Sequence, residues 1–255
     1  YTLEKPEKPP AFCMALRKCL RNAEVKEVQQ HEFERIIVIK LSAREGDFQL
    51  ISELFGEGNI ILVSPENKIL HALTYRRMRD RNILRGEVFQ HPPSSGRNPL
   101  RLSLQDFSEI KNLGKLEIVR ALTKFLSIGG LYAEETLLRA QVEKSIPCEA
   151  LTEPEIGRIF EQLQQLLSSI VTGNVRPSIV MNEQGEWVDV TPILLEKYAQ
   201  FKHKTYSSFN EALDEYYTEM TLKEKGVEVS KEVKQELARQ QRVLESQRKA
   251  LEDSR

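Results

Sequence analysis

The sequence predicts an α+β protein, with a β-rich domain, a helical domain inserted into it, and the start of a coiled coil at the C-terminal end. Three observations carry this reading. Apolar runs of strand length crowd the first third of the chain. An apolar spacing of three and four residues then runs from Ser103 to Thr172, and Leu237, Leu244 and Leu251 stand one heptad apart in a tail without glycine or proline. The expected division is 1–102 for the β-rich part, 103–173 for the helical domain, 174–220 for a return to the first domain and 221–255 for the coiled coil.

The elements follow in order. Residues 11–22 place Phe12, Leu16 and Cys19 or Leu20 on one stripe and Arg17, Lys18 and Arg21 on the other, which predicts a short amphipathic helix. RIIVIKL at 35–41, DFQLISELF at 47–55, NIILV at 59–63 and ILHAL at 69–73 predict strands of an antiparallel meander. Gly56 and Gly58 interrupt it where a tight turn is needed, and Asn59 belongs to that turn. Thr152 with Glu155 forms a capping box, opening a helix whose apolar face is Ile156, Ile159, Phe160, Leu163, Leu166 and Leu167. Tyr132, Leu137 and Leu138 are expected in a helical core. SIVMN and EWVDVTP flank Glu183-Gln184-Gly185 as a hairpin that should close the first β domain. LLEKYAQF and FNEALDEYY have the spacing of short helices.

Composition excludes several functions. With 37 Lys+Arg against 38 Asp+Glu, a net charge of -1 rules out binding to nucleic acid by bulk charge, so such binding requires local patches. No stretch approaches the roughly 20 apolar residues of a membrane span, and Tyr1 to Pro10 is charged and proline-rich without the apolar core of a signal peptide, which predicts a cytoplasmic protein. Cys13, Cys19 and Cys148 lack metal or redox spacing, and the histidines at 31, 71, 91 and 203 are scattered. Phosphate loops, dinucleotide turns and nucleophile elbows are missing, so no catalytic residue, cofactor or metal is expected.

One local patch stands out. Between Tyr75 and Leu102, Arg76, Arg77, Arg79, Arg81, Arg85, Arg97 and Arg101 face only Asp80 and Glu87, and Pro92 to Gly96 break any regular element. Arginines in such a loop can follow a phosphate backbone. Arg17 and Lys18, on the outer face of the first helix, form a second candidate. Read from the residues alone, Glu34-Arg35 is a surface ion pair at a strand start, worth about 0–1 kcal/mol.

Several blocks carry a family resemblance. In order and spacing, PPAFCMALRKCL, HEFERIIVIKL, ISELFGEGNIILVSPENKILHAL, RNILRGEVFQHPP and FNEALDEYY resemble the N-terminal region of the NFACT family, also called the fibronectin-binding-protein-A N-terminal family. A second segment, IGGLYAEETLLRAQV followed by LTEPEIGRIFEQLQQLL, is similar to the helix–two-turns–helix of formamidopyrimidine-DNA glycosylases. There a glycine turn offers backbone N–H groups to a phosphate, a role that would fall to Gly129 and Gly130. Together the resemblances imply a glycosylase-like β domain with an inserted helix-hairpin-helix-like domain, in a chain clipped at both ends.

The NFACT resemblance implies a ribosome quality-control adapter, not an enzyme. Its partners would be tRNA and the large ribosomal subunit still holding peptidyl-tRNA, and it would support template-free C-terminal tailing of stalled chains. Through the coiled coil it would meet a ubiquitin ligase or other quality-control factors, and no membrane is implied. The family's functional acidic–arginine pair falls on Glu34-Arg35, with Glu34 one methylene longer than the more common aspartate. Two other classes compete: an adhesin or scaffold of the fibronectin-binding type, and a DNA glycosylase. The glycosylases use an N-terminal proline and a four-cysteine zinc finger, whereas this chain begins with Tyr1 and has three cysteines.

Overall fold

In the first sheet, successive side chains point to opposite faces, and both faces are covered except at its first strand. The computed structural model describes residues 7–94 and 96–223. Strands β1 (Glu24–Gln30), β2 (Ile36–Ala43), β3 (Gly46–Glu53), β4 (Asn59–Val63) and β5 (Ile69–Ala72) pair in sequence order, each antiparallel to the next, as the expected meander. Ile36, Val38, Ile51, Ile61, Val63 and Ile69 pack on one face with Ile83 and Phe89. Leu41, Phe48 and Leu62 pack on the other, beneath Leu16, Cys19 and Leu20 of helix α1 (Ala11–Cys19). Two covered faces demand apolar residues at nearly every position, which is why β2 is apolar from Ile36 to Ile39 and β4 from Ile60 to Val63. Each fully buried isoleucine or leucine removes enough apolar surface from water to contribute about 1.5–3 kcal/mol.

The edge strand β1 was not expected. All seven of its residues are exposed, with Val25 at 57% and Val28 at 62%, so its sequence carries no buried face for a periodicity to show. The turn after β3 is structural, as expected. Gly56 and Gly58 have φ of 60° and 72°, and the buried Asn59 accepts from the amides of Ile60 and Thr74 while donating to the Thr74 carbonyl. The segment expected as a basic loop instead opens with a short hairpin, β6 (Arg76–Arg77) and β7 (Asn82–Ile83).

Helices α2 (Leu104–Ser108), α3 (Ile118–Leu126), α4 (Gly130–Ala140) and α5 (Glu153–Val171) surround a second core of Phe107, Ile110, Leu122, Leu126, Leu137 and Ile159. Capping boxes start two of them. Ser103 and Asp106 cap α2, and Thr152 and Glu155 cap α5 as predicted. Leu138, expected in the core, is 49% exposed, because it lies one position round α4 from the buried Leu137.

The chain divides into two compact units at Ser168/Ser169, so the first sheet and its helices fall in one unit. In the second unit, β8 (Ser178–Met181) pairs with β9 (Trp187–Thr191) and β10 (Lys202–Thr205) in a sheet of its own. The 182–186 hairpin turn is present, with Gly185 at φ 82°. LLEKYAQF yields only a 3-10 turn at Glu196–Tyr198, and β10 was not expected. Residues 209–223 are helical, as FNEALDEYY predicts. The heptad leucines at 237, 244 and 251, and all of the coiled coil after residue 223, lie outside the described residues. Among those described, no helix is long and apolar enough to cross a membrane.

Candidate nucleic-acid interface

The five residues joining β1 to β2 are held from several sides. The His31 amide donates to the Ile36 carbonyl (2.9 Å), and the Glu34 amide donates back to the His31 carbonyl (3.0 Å). Glu32 adopts φ 49°, which tightens the turn, and Phe33 packs against the helical core. The Gln30 side chain donates to the Glu34 carbonyl, and the Leu54 amide to the Arg35 carbonyl. This backbone presents Arg35 exposed beside a half-buried Glu34.

Opposite that turn runs the segment after Pro93. The Ser94 hydroxyl lies 3.0 Å from Glu34 Oε1 and 2.6 Å from the Gly96 carbonyl, so its single proton is shared between two acceptors. The Arg97 amide donates to the Phe125 carbonyl at 2.7 Å, its guanidinium sits 4.7 Å from the Phe125 ring centre, and it pairs with Glu109. Asn98 Nδ2 donates to Glu32 Oε2 (3.0 Å), and Arg101 Nη1 lies 3.2 Å from Glu32 Oε1. The Asn98 hydrogen bond, followed by the Arg101 charge, holds the Glu32 carboxyl below the usual carboxylate range.

Between the two segments lies a cavity of about 340 Å³ with Phe33, Glu34, Gly96, Arg101 and Ser127 in its wall. Its chemistry is mixed. A ring can lie on Phe33, a carboxylate can accept from an exocyclic amine, and arginines at the rim can meet phosphate.

The remaining predicted arginines separate into different roles. Arg77, Arg79 and Arg85 are exposed, whereas Arg76 is paired with Glu57. Arg81 corrects the expectation of a surface loop. Its side chain is 5% exposed, lies 2.6 Å from Glu53 Oε1 and donates to the Gln90 carbonyl at 3.0 Å. Turned inward, it cannot follow a phosphate backbone, because a buried guanidinium needs its carboxylate and leaves it only at high cost. Arg17 and Lys18 are exposed on α1. Burial, then the charges of Arg85 and Lys18, lowers the His71 pKa, so both cations act on the same side chain.

Gly129 and Gly130 stand where the turn between α3 and α4 was expected. Ser127, at φ 54°, ends α3, and exposed Gly129 caps α4 without a side-chain cap. No atom lies within 4 Å of a Cβ added at either glycine, so the end of α4 is open on that side.

Sequence reasoning missed Glu32, Ser94 and Asn98, whose roles depend on pairings across 60 and 66 positions. Arg97 and Arg101 belonged to the basic stretch but were not singled out. The usable signal was HEFER itself, in which Glu32 and Glu34 bracket an aromatic residue.

The profile of the NFACT N-terminal and middle domains matches residues 1–255. The chain belongs to the NFACT family. Its similarity to the archaeal Rqc2 homolog aRqcH of Methanocaldococcus jannaschii is 36% identity over 264 residues, covering 100% of this chain and 39% of the relative. The human ribosome quality control complex subunit NEMF is 24% identical, covering 96% of this chain and 25% of the relative. The NFACT region described here thus spans less than half the length of either. Among solved structures, the fibrinogen binding protein of Staphylococcus aureus superposes with a TM-score of 0.65 at 22% identity, covering 82% of this chain and 76% of that one, a likeness of fold.

Proposed function

We propose that this NFACT chain is the RNA-recognising portion of a ribosome quality-control factor. It binds tRNA and the large ribosomal subunit obstructed by peptidyl-tRNA, and supports template-free C-terminal tailing of the stalled chain. The relatives named for ribosome quality control support the setting. The observation that carries the reading is the Glu34-Arg35 turn, whose backbone is pinned, with Glu34 in the wall of a cavity able to take one base and Arg35 exposed next to it in the chain.

In this reading the Glu34 carboxylate accepts from a base amine while Arg35, exposed beside it, reaches a phosphate or a base edge in a bidentate fork. Arg77, Arg79 and Arg85, with Arg17 and Lys18, supply phosphate contacts, and the open end of α4 at Gly129 and Gly130 offers N–H groups to another phosphate. The peptidyl-transfer chemistry belongs to the ribosome, so the chain's task is to select and hold.

A filter-binding titration with elongator tRNA tests this. Glu34→Ala and Arg35→Ala should each weaken binding about 5- to 100-fold, the range of one lost specific contact. Unchanged affinity in both variants, together with a response flat in salt, would sink the RNA reading.

A further inference from the structure

His31 and His91, each close in sequence to a residue in the cavity wall, stack their rings on one another, a contact without a part in the RNA reading. Their centroids are 3.5 Å apart and their planes 7° from parallel, and Phe89 meets His91 edge-on at 4.9 Å. Each histidine stands three residues before a member of the site. His31 leads to Glu34 through the tight turn closed by the Glu34 amide on the His31 carbonyl. His91 leads to Ser94 through Pro92 and Pro93, whose rings fix two φ angles and leave that span little freedom. Glu34 and Ser94 then meet at 3.0 Å. The histidine stack and the Glu34–Ser94 contact therefore close one loop of structure, with short stiff arms on both sides.

The far side of the stack is anchored in the sheet. Phe89 is buried in the core, and the Gln90 carbonyl accepts from Arg81, itself held by Glu53. We propose that His31 and His91 are positioning residues, a ring clamp that holds Glu34 and Ser94 together at the cavity while the His91 ring is neutral and releases them when that ring gains a proton. The proposal rests on the RNA reading for its consequence, but the clamp itself is a property of the fold.

Charge explains the sensitivity. His91 Nδ1 is shut off from solvent and meets no partner, so a protonated ring would leave a buried N–H without an acceptor. The charged groups facing the pair are Arg81 and Glu53 beside His91 and Glu32 beside His31. Burial, then the neighbouring His31 ring and the Arg81 guanidinium, lowers the His91 pKa against the opposing pull of Glu53. A depressed histidine pKa means that the folded state binds fewer protons than the unfolded chain. The clamp is therefore complete above the ordinary value of about 6.5 and weakens as pH falls below it.

Amide exchange at His31, Glu34 and Arg97, whose amides are hydrogen-bonded in the two arms, corrected for intrinsic rates and measured without RNA, reads the clamp directly. Unsubstituted chain should lose protection there between about pH 7.5 and about pH 5.5, and its tRNA affinity should fall about tenfold over the same interval. His91→Phe keeps a ring to stack and removes the titration, so its protection and affinity should hold across that range. His91→Ala should lose both already at the higher pH. Wild-type protection in His91→Ala, or the full acid loss in His91→Phe, overturns the clamp. Because exchange needs no RNA, a chain that binds no tRNA at any pH overturns the RNA reading while the exchange result still decides the stack.

Discussion

Arg81 and Glu53 show how one residue's environment can invert what its type suggests. Both are almost completely buried, and Arg81 also holds the Gln90 carbonyl that precedes His91. Removing one partner leaves the other as an uncompensated buried charge, so Glu53→Gln or Arg81→Met should each cost about 3–5 kcal/mol in urea unfolding. The double variant Glu53→Leu with Arg81→Met should recover much of that loss, since an apolar pair of similar size removes the desolvation cost. Single variants that unfold within about 1 kcal/mol of the parent would show the pair to be solvated. The sequence held half of the clue. Glu53 has the same parity as Ile51 on β3, which places it on the face packed with Ile61 and Phe89. Arg81 held none, because within a run of arginines charge alone does not say which one turns inward.

At the scale of elements, legibility followed burial. The helix at Thr152 declared itself through its capping box and apolar stripe, and β2 to β5 through runs that must be apolar on both faces. By contrast, β1 and β10 bury almost nothing, and pairing with a neighbour makes them strands. The cavity was illegible for a related reason, since its wall joins the β1–β2 turn to the end of α3 through the segment at Gly96. A Cβ at Gly96 would lie 2.5 Å from Ser127 Oγ, 2.7 Å from the Ser127 amide nitrogen and 2.9 Å from the Phe125 carbonyl oxygen. Two of these are backbone atoms that cannot rotate away. Gly96→Ala should therefore push the segment off α3, strain the Arg97–Phe125 hydrogen bond and cost about 1–3 kcal/mol, as overpacking does. Its effect on tRNA affinity should approach that of Glu34→Ala, because the same movement displaces Ser94. Parental stability and affinity would mean that the segment yields without disturbing the site.

Over the whole molecule, a net charge of -1 conceals where the cations stand. Arg76, Arg81 and Arg97 have carboxylate partners, while Arg17, Lys18, Arg77, Arg79 and Arg85 are exposed. Only cations that replace counterions on a phosphate contribute to the salt dependence of RNA binding, each by about 0.7–0.9 in the slope of log affinity against log salt. Composition pointed to the whole basic stretch, but pairing reduces the set that can act this way. Replacing Arg77, Arg79 and Arg85 by alanine together should flatten the slope by about 2–3 and weaken binding to all tRNAs alike, since phosphate contacts carry no sequence information. Arg76→Ala removes a cation already neutralised by Glu57 and should change the slope by well under about 1. Equal flattening by the single and the triple change would mean that ion pairing does not select the contacts. A triple variant with the parental slope would move the phosphate track to α1, where Arg17→Ala with Lys18→Ala should then flatten it instead.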